Sequence, residues 1–333
     1  MFQSVLICTN FADGIQRLMG FIPELAASGI EKIVFLHCVP LWQDGEIPRE
    51  DTEAIAAAQE RFRQVIHPEI PGMEVVWEVQ SGPPDENIMG MAERHQIQAL
   101  ILGSTTRSFL TEKLFGSTTA NLAYRLDRPL LTLRPQLVST YTRDELALRC
   151  RHLLQYLLVL FDGSPTAYKL IDRLKAQVQR HPNSCLKQCR LLWLVDQGNR
   201  RLPQPFSLEE MEEKLAVVQQ DLQSLGLKVA TEIRQGDSLP ELMEVAMTHD
   251  ISAIAVSSSR ANALLDWSVP SFSNEIMRQS WYPVLFFPAG RSGAKGSEAA
   301  PPDAGVNPEP APSPEPAAST DEPGEPADLG GDL

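Results

Sequence analysis

The chain has 333 residues, 43% of them hydrophobic, enough to bury a sizeable core and to suggest about two domains. No apolar run approaches the roughly 18 residues of a membrane span, and a net charge of −14 argues against nucleic-acid binding by bulk electrostatics. The N-terminal MFQSVLICTN lacks a basic stretch ahead of an apolar core, so no signal peptide is expected and a cytoplasmic location is.

The elements alternate along the chain. Ser4–Thr9 is a strand-length apolar run, and Gly14–Ala27 has helical periodicity that Pro23 kinks or splits. Strand Lys32–Val39, amphipathic helix Glu50–Ile66, strand Met73–Val79, helix Asp85–His95 and strand Ala99–Gly103 follow. Helices between hydrophobic strands imply βαβ crossovers and a parallel sheet covered on both faces. After Gly103 comes a polar loop, then Gly116-Ser117-Thr118 at the start of a helical pattern, then Pro129 and the strand Leu130–Leu133. A glycine loop leading into a helix N-terminus suits a phosphate, because the first N–H groups of a helix are unpaired and partly positive.

One unit is written twice. Gly82-Pro-Pro-Asp-Glu-Asn-Ile-Met-Gly-Met-Ala92 matches Gly236-Asp-Ser-Leu-Pro-Glu-Leu-Met-Glu-Val-Ala246 at an offset of 154, and Gly103, Gly116 and Pro129 fall on Ser257, Pro270 and Pro283 at the same offset. The second copy predicts strands at Tyr156–Phe161, Arg190–Val195, Lys228–Ile233, Ala253–Val256 and Val284–Phe287. Its helices are predicted over Thr166–Val178, Leu208–Leu225, Leu239–His249 and Ser273–Gln279. Between the copies, Thr142 and Glu145 have capping-box spacing, so a short helix is expected there. From Arg291 to Leu333 there are two basic and nine acidic residues, rich in Pro and Ala and poor in large apolar side chains; this composition predicts a disordered tail.

The spacing Gly103-x2-Thr106-x9-Gly116-Ser117 resembles the ATP-binding signature of the universal stress protein family, G-x2-G-x9-G-[ST], with Thr106 at the middle glycine. The resemblance covers about Met1–Pro288 and implies two tandem five-stranded parallel α/β sandwiches, Rossmann-like and of the adenine nucleotide alpha hydrolase type. It divides the chain into a first domain over 1–137, a linker over 138–152, a second domain over 153–289 and the tail over 290–333. It implies a stress-response role and ATP or a related adenine nucleotide as ligand, with Mg accompanying it. The residues it assigns to that ligand are Asn10, Cys38, Gly103, Thr105, Thr106, Arg107, Gly116, Ser117 and Thr118. Asn10 stands where the family commonly has Asp, which removes a charge and one acceptor oxygen.

The second copy reverses the pattern. Asp162-Gly163-Ser164-Pro165 is close to the family's Asp-x-Ser, but Ser257, Arg260 and Pro270 occupy the glycine positions. Pro270 removes a backbone donor where an anion wants one, so nucleotide binding is expected in the first copy and weak or absent in the second. The family pairs two domains through their last strands, which implies an intramolecular pseudo-dimer here, with a further homodimer open. The chain lacks a G-x-S-x-G elbow, a Walker A lysine, a zinc constellation and paired carboxylates, and no residue stands out as a base. The expectation is a regulatory protein with an unidentified protein partner and at most weak ATPase activity. A scaffold that works without ligand, through its domain interface, is the alternative.

Overall fold

The computed structural model describes residues 1–11, 14–42, 48–65, 69–103, 122, 127–181, 185–196, 206–257 and 272–288. The first repeat contributes β1 (Ser4–Cys8), a 3-10 turn (Ile15–Phe21), α1 (Ile22–Ala27), β2 (Lys32–Val39), α2 (Thr52–Arg63), β3 (Glu74–Ser81), α3 (Pro84–Arg94), β4 (Ala99–Gly103) and β5 (Leu130–Leu133). Two helices, α4 (Pro135–Thr140) and α5 (Arg143–Arg151), connect it to the second repeat. That repeat comprises β6 (Tyr156–Leu160), α6 (Pro165–Arg180), β7 (Gln188–Asp196), α7 (Leu208–Gln223), β8 (Lys228–Gly236), α8 (Ser238–Thr248), β9 (Ala253–Ser257), α9 (Phe272–Gln279) and β10 (Val284–Phe287). The expected split at Pro23 is real: the proline lies in the first turn of α1, where its missing N–H costs nothing, and a 3-10 turn precedes it. Polar caps fix other helix starts. Asp51 accepts from the Ala54 N–H at 2.9 Å, and both Thr142–Glu145 and Ser207–Glu210 form reciprocal capping boxes.

Ten strands form one sheet in the order β3-β2-β1-β4-β5-β10-β9-β6-β7-β8. Every neighbouring pair is parallel except β5 with β10, which run antiparallel with Leu131 opposite Leu285. The last strands of the two repeats therefore pair within one chain, as the pseudo-dimer expectation requires. Burial explains why. All four residues of β5 and all four of β10 are buried, so either strand left as an edge would expose a two-sided apolar ribbon. Alternate residues feed two cores, Val5 and Ile7 on one face of the sheet and Leu6 on the other. Each core draws on both repeats, and Leu130 and Phe286 share one of them.

Arg134, the first residue after β5, ties the seam to α9. Its Nε donates to the Ser280 carbonyl at 2.6 Å and its Nη2 to the Met277 carbonyl at 2.9 Å. These carbonyls close the C-terminal turn of α9, where a cation meets the negative end of the helix dipole. On the first repeat, Arg17 does similar work by donating to the carbonyls of Val138 and Tyr141, which anchors α4.

Both repeats carry a histidine–glutamate pair at matching positions. His95, at the C-terminal cap of α3, lies 3.1 Å from Glu78 on β3; His249, capping α8, lies 3.5 Å from Glu232 on β8. In the second repeat Glu232 also meets Arg190 at 2.7 Å and Arg234 at 2.6 Å. Burial would raise the Glu232 carboxyl, but the hydrogen bond and charge of Arg234, with Arg190 and His249, outweigh it and hold the group below its ordinary value of 4.5.

Two predictions follow from this packing. A carboxyl held low in the folded state contributes stability that is present above the ordinary value and lost as pH falls through the depressed one. Glu232→Gln should thus lower stability at neutral pH by about 1–3 kcal/mol, with the gap from wild type closing as urea titrations move into acid. Phe286→Ala, which empties a fully buried site at the seam, should cost about 3–5 kcal/mol. Because both repeats share that core, the loss should appear in a single unfolding transition; a separate transition for the second repeat would show that the seam does not couple them.

Candidate functional site

In an open parallel sheet, ligands lie beyond the carboxyl ends of the strands, where the strand order reverses. In the first repeat that point falls between β1 and β4. The register pairs Cys8 with Leu36 and Ile7 with Ile101, so Asn10, Cys38 and Gly103 emerge together at one end of the three adjacent strands β2, β1 and β4. Three of the nine residues named from sequence are thereby brought to one place. The other six, Thr105, Thr106, Arg107, Gly116, Ser117 and Thr118, lie outside the described residues.

Local contacts set each position. Thr9 is buried; its carbonyl accepts from His37 Nδ1 at 2.8 Å, which fixes the ring tautomer, and its hydroxyl accepts from the Phe11 N–H at 3.0 Å. Asn10 is exposed, between that turn and the strand. Cys38 is half-buried, and burial pushes its thiol up to about 11 despite a hydrogen bond with Asn87. At ordinary pH it is a neutral contact surface, not a nucleophile. Asn87 in turn donates to the Ser81 carbonyl at 3.1 Å, which links α3 to the end of β3.

Phe11 has φ of 59°, a left-handed conformation that costs a bulky residue about 1–2 kcal/mol. Ring contacts with His37 at 4.6 Å and Phe62 at 5.0 Å, with Arg61 5.3 Å above, offset that cost. The register equates Phe11 with Gly163 and His37 with Trp193 in the second repeat. Gly163 has φ of 71°, and a Cβ there would stand 2.8 Å from Trp193 Cη2. The larger indole takes the space that Phe11 fills, so the turn must be glycine.

The same register equates Asn10, Cys38 and Gly103 with Asp162, Leu194 and Ser257, and these three line a single cavity of about 560 Å³ in the second repeat. Its size is that of a small-molecule site. Asp162 caps the local turn by accepting from the Ser164 N–H at 2.9 Å, and Ser164 in turn caps α6 by accepting from the Ala167 N–H at 3.2 Å. Among the described residues four carboxylates line it: Asp162, Asp196, Asp237 and Glu275. Their counterparts in the first repeat are Asn10, Pro40, Pro83 and Asn121, all uncharged. A phosphate oxygen about 6 Å from a carboxylate is opposed by roughly 3 kcal/mol at an effective dielectric constant of 20. Sequence reading found the loss of glycines in the second repeat but not this charge difference. The offset of 154 sets Asp237 and Glu275 against Pro83 and Asn121, whereas the pairing of Asp162 with Asn10 and of Asp196 with Pro40 needs the sheet register. The two His–Glu pairs were legible in the same offset. Among the described residues no cluster of His, Cys, Asp and Glu fits a metal ion, and no helix is long and apolar enough to cross a membrane.

Comparison with known proteins follows the same division of the chain. A universal stress protein from Archaeoglobus fulgidus superposes with a TM-score of 0.62 at 16% identity, over 86% of this chain and 99% of its own. A protein of unknown function from Pseudomonas aeruginosa superposes with a TM-score of 0.52 at 11% identity, over 86% of this chain and 92% of its own. A universal stress protein solved in complex with cAMP aligns over 40% of this chain and 97% of its own, at 17% identity and a TM-score of 0.30. No curated protein sequence matches the chain. The model of the universal stress protein family matches twice, over residues 1–134 and 155–288, one match for each half of the ten-stranded sheet, and the chain belongs to that family as a tandem of two such units.

Proposed function

We propose that the chain is a stress-response regulatory module that binds ATP or a related adenine nucleotide in its first repeat. The observation that carries this reading is the convergence of Asn10, Cys38 and Gly103 at the switch point of a cleft whose counterparts to the four acids of the second repeat are all uncharged. In this reading Asn10 faces the nucleoside, Cys38 gives the base an apolar contact, and Gly103 lets the chain turn into the loop. Thr105, Thr106 and Arg107, with Gly116, Ser117 and Thr118, hold the phosphates through main-chain donors and one positive charge. Mg accompanies the triphosphate. The second repeat, acidic and with Pro270 in place of the phosphate-side glycine, leaves the nucleotide to the first. Occupancy then changes which surface the shared sheet presents to a protein partner.

The purified protein, denatured and chromatographed, should release close to one equivalent of adenine nucleotide. Gly116→Val should abolish that release while leaving the urea midpoint of the nucleotide-free protein unchanged. Pro83→Asp copies Asp237, the residue before α8 in the second repeat. It should weaken ATP by about tenfold or more but adenosine by no more than about twofold, since only the phosphates feel the added charge. A protein that carries no nucleotide, and whose melting temperature ignores millimolar ATP, would instead be a scaffold acting through its domain interface.

A further inference from the structure

A second cavity, of about 510 Å³, lies away from both strand-end clefts. It opens at the C-terminal end of β5, between the connecting helices and the second repeat. Leu25 of the first repeat, Leu137 and Leu146 of α4 and α5, and Ile251 and Pro283 of the second repeat form its apolar wall. Two large side chains that line it are left open to solvent, Trp281 with 58% of its surface exposed and Leu148 with 53%. The volume lies inside the range of small-molecule sites, and the wall is apolar enough to hold a hydrophobic body.

The charged groups of this cavity sort into two kinds. Arg134 is committed to the carbonyls of Met277 and Ser280. Glu145 is committed to its helix cap, accepting from the Thr142 N–H at 2.8 Å and the Thr142 hydroxyl at 2.9 Å. His152, at the end of α5, is exposed. The Thr142 hydrogen bonds first, and then the charge of Arg149 one turn later on α5, hold the Glu145 carboxyl below its ordinary value. Arg149 and Asp250 are the charges that make no hydrogen bond or ion pair of this kind among the described residues. The Arg149 guanidinium lies over the Tyr141 ring at 4.2 Å, and neither it nor Asp250 makes an ion pair within 4.0 Å among the described residues. Asp250 is held in place by φ of 51° at the turn that ends α8. Both charges act on the Tyr282 phenol: burial raises it most, Arg149 pulls it down and Asp250 pushes it up. One cation and one anion thus share the neighbourhood of one apolar cavity without neutralising each other.

From this pairing we propose that the cavity between the connecting helices and the second repeat binds an apolar zwitterion of the hydrophobic α-amino acid class. The ligand carboxylate meets Arg149, its ammonium meets Asp250, and its side chain enters the leucine-lined wall with Trp281 closing over it. An acid alone or an amine alone satisfies only one of the two charges, so both ends of the ligand contribute to selection. Because the wall is built from both repeats and the helices between them, a bound ligand fastens α4 and α5 against the second repeat. The inference uses none of the residues of the nucleotide cleft, and it stands or falls separately from that reading.

Titration calorimetry on the full chain tests it with L-phenylalanine, L-leucine, 3-phenylpropionate and phenethylamine, each up to about 10 mM, where a millimolar dissociation constant is readily measured. Phenylalanine and leucine should bind, and each single-charge analogue should bind at least about threefold more weakly than phenylalanine. Arg149→Gln should erase the advantage of phenylalanine over phenethylamine, and Asp250→Asn its advantage over phenylpropionate. The Asp250 side chain is exposed and asparagine tolerates the left-handed turn, so Asp250→Asn should keep the wild-type urea midpoint, whereas Arg149→Gln should lower it only slightly, through the lost contact with Tyr141. Absence of binding by either amino acid overturns the proposal. So does equal binding by the analogues, or phenylalanine affinity that neither substitution changes.

Discussion

A five-stranded parallel sheet that ends in a strand dominated by large apolar side chains has an unpaired row of N–H and C=O groups beside side chains that cannot stay in water. Water can satisfy the backbone but not the side chains, and a second sheet edge satisfies both. Leu130–Leu133 against Val284–Phe287 is that solution within one chain, and most of the architecture depends on it. The pairing is antiparallel, so the strands of the two repeats run in opposite directions and their carboxyl ends emerge at opposite edges of the sheet. The clefts marked by Asn10 and Asp162 therefore face away from each other and share only the core between them.

That separation explains how two copies of one unit came to differ so sharply at their sites while matching so closely beneath them. The register of β1, β2 and β4 is repeated by β6, β7 and β9. Even the positive φ after the first strand is kept, as Phe11 in one copy and Gly163 in the other. Changes there are compensated pairwise: Trp193 replaces His37, and the residue beside it loses its side chain. At the strand ends and helix starts, Asn10, Pro40, Pro83 and Asn121 of one copy correspond in sequence to Asp162, Asp196, Asp237 and Glu275 of the other.

Legibility in the sequence follows the same line. Ala99–Gly103, Leu130–Leu133 and Val284–Phe287 were readable to the residue because short runs next to a glycine or proline have strand length, and Lys32–Val39 because its β-branched and aromatic run stops at Pro40. The capping box at Thr142 was readable because its chemistry is local. Helix α4 was not, since Pro135–Thr140 has no periodic apolar stripe and is held by Arg17, more than a hundred residues away. At the first cleft, spacing named Asn10, Cys38 and Gly103, and the sheet register was needed to show that they meet. The cavity between α5 and the second repeat left no trace in any local pattern. Arg149 and Asp250 are far apart in sequence and belong to no motif, and only the antiparallel seam places them against one wall.

The seam also decides where the connecting helices can go. After β5 the chain must travel to β6, which lies on the far side of β10 and β9 in the sheet. It crosses at the end where β5 stops and β10 starts, and there it passes the turns that precede β9 and β10. A connector pressed flat would bury those turns under a continuous apolar layer. Instead α4 is fixed on one side by Arg17, α9 is fixed on the other by Arg134, and α5 spans between them on a capping box of its own. Helices anchored independently in this way leave a space, and it is lined by α4, α5 and the turns that precede β9 and β10. Joining two units through their last strands thus produces a concavity to which the first repeat, the connecting helices and the second repeat all contribute.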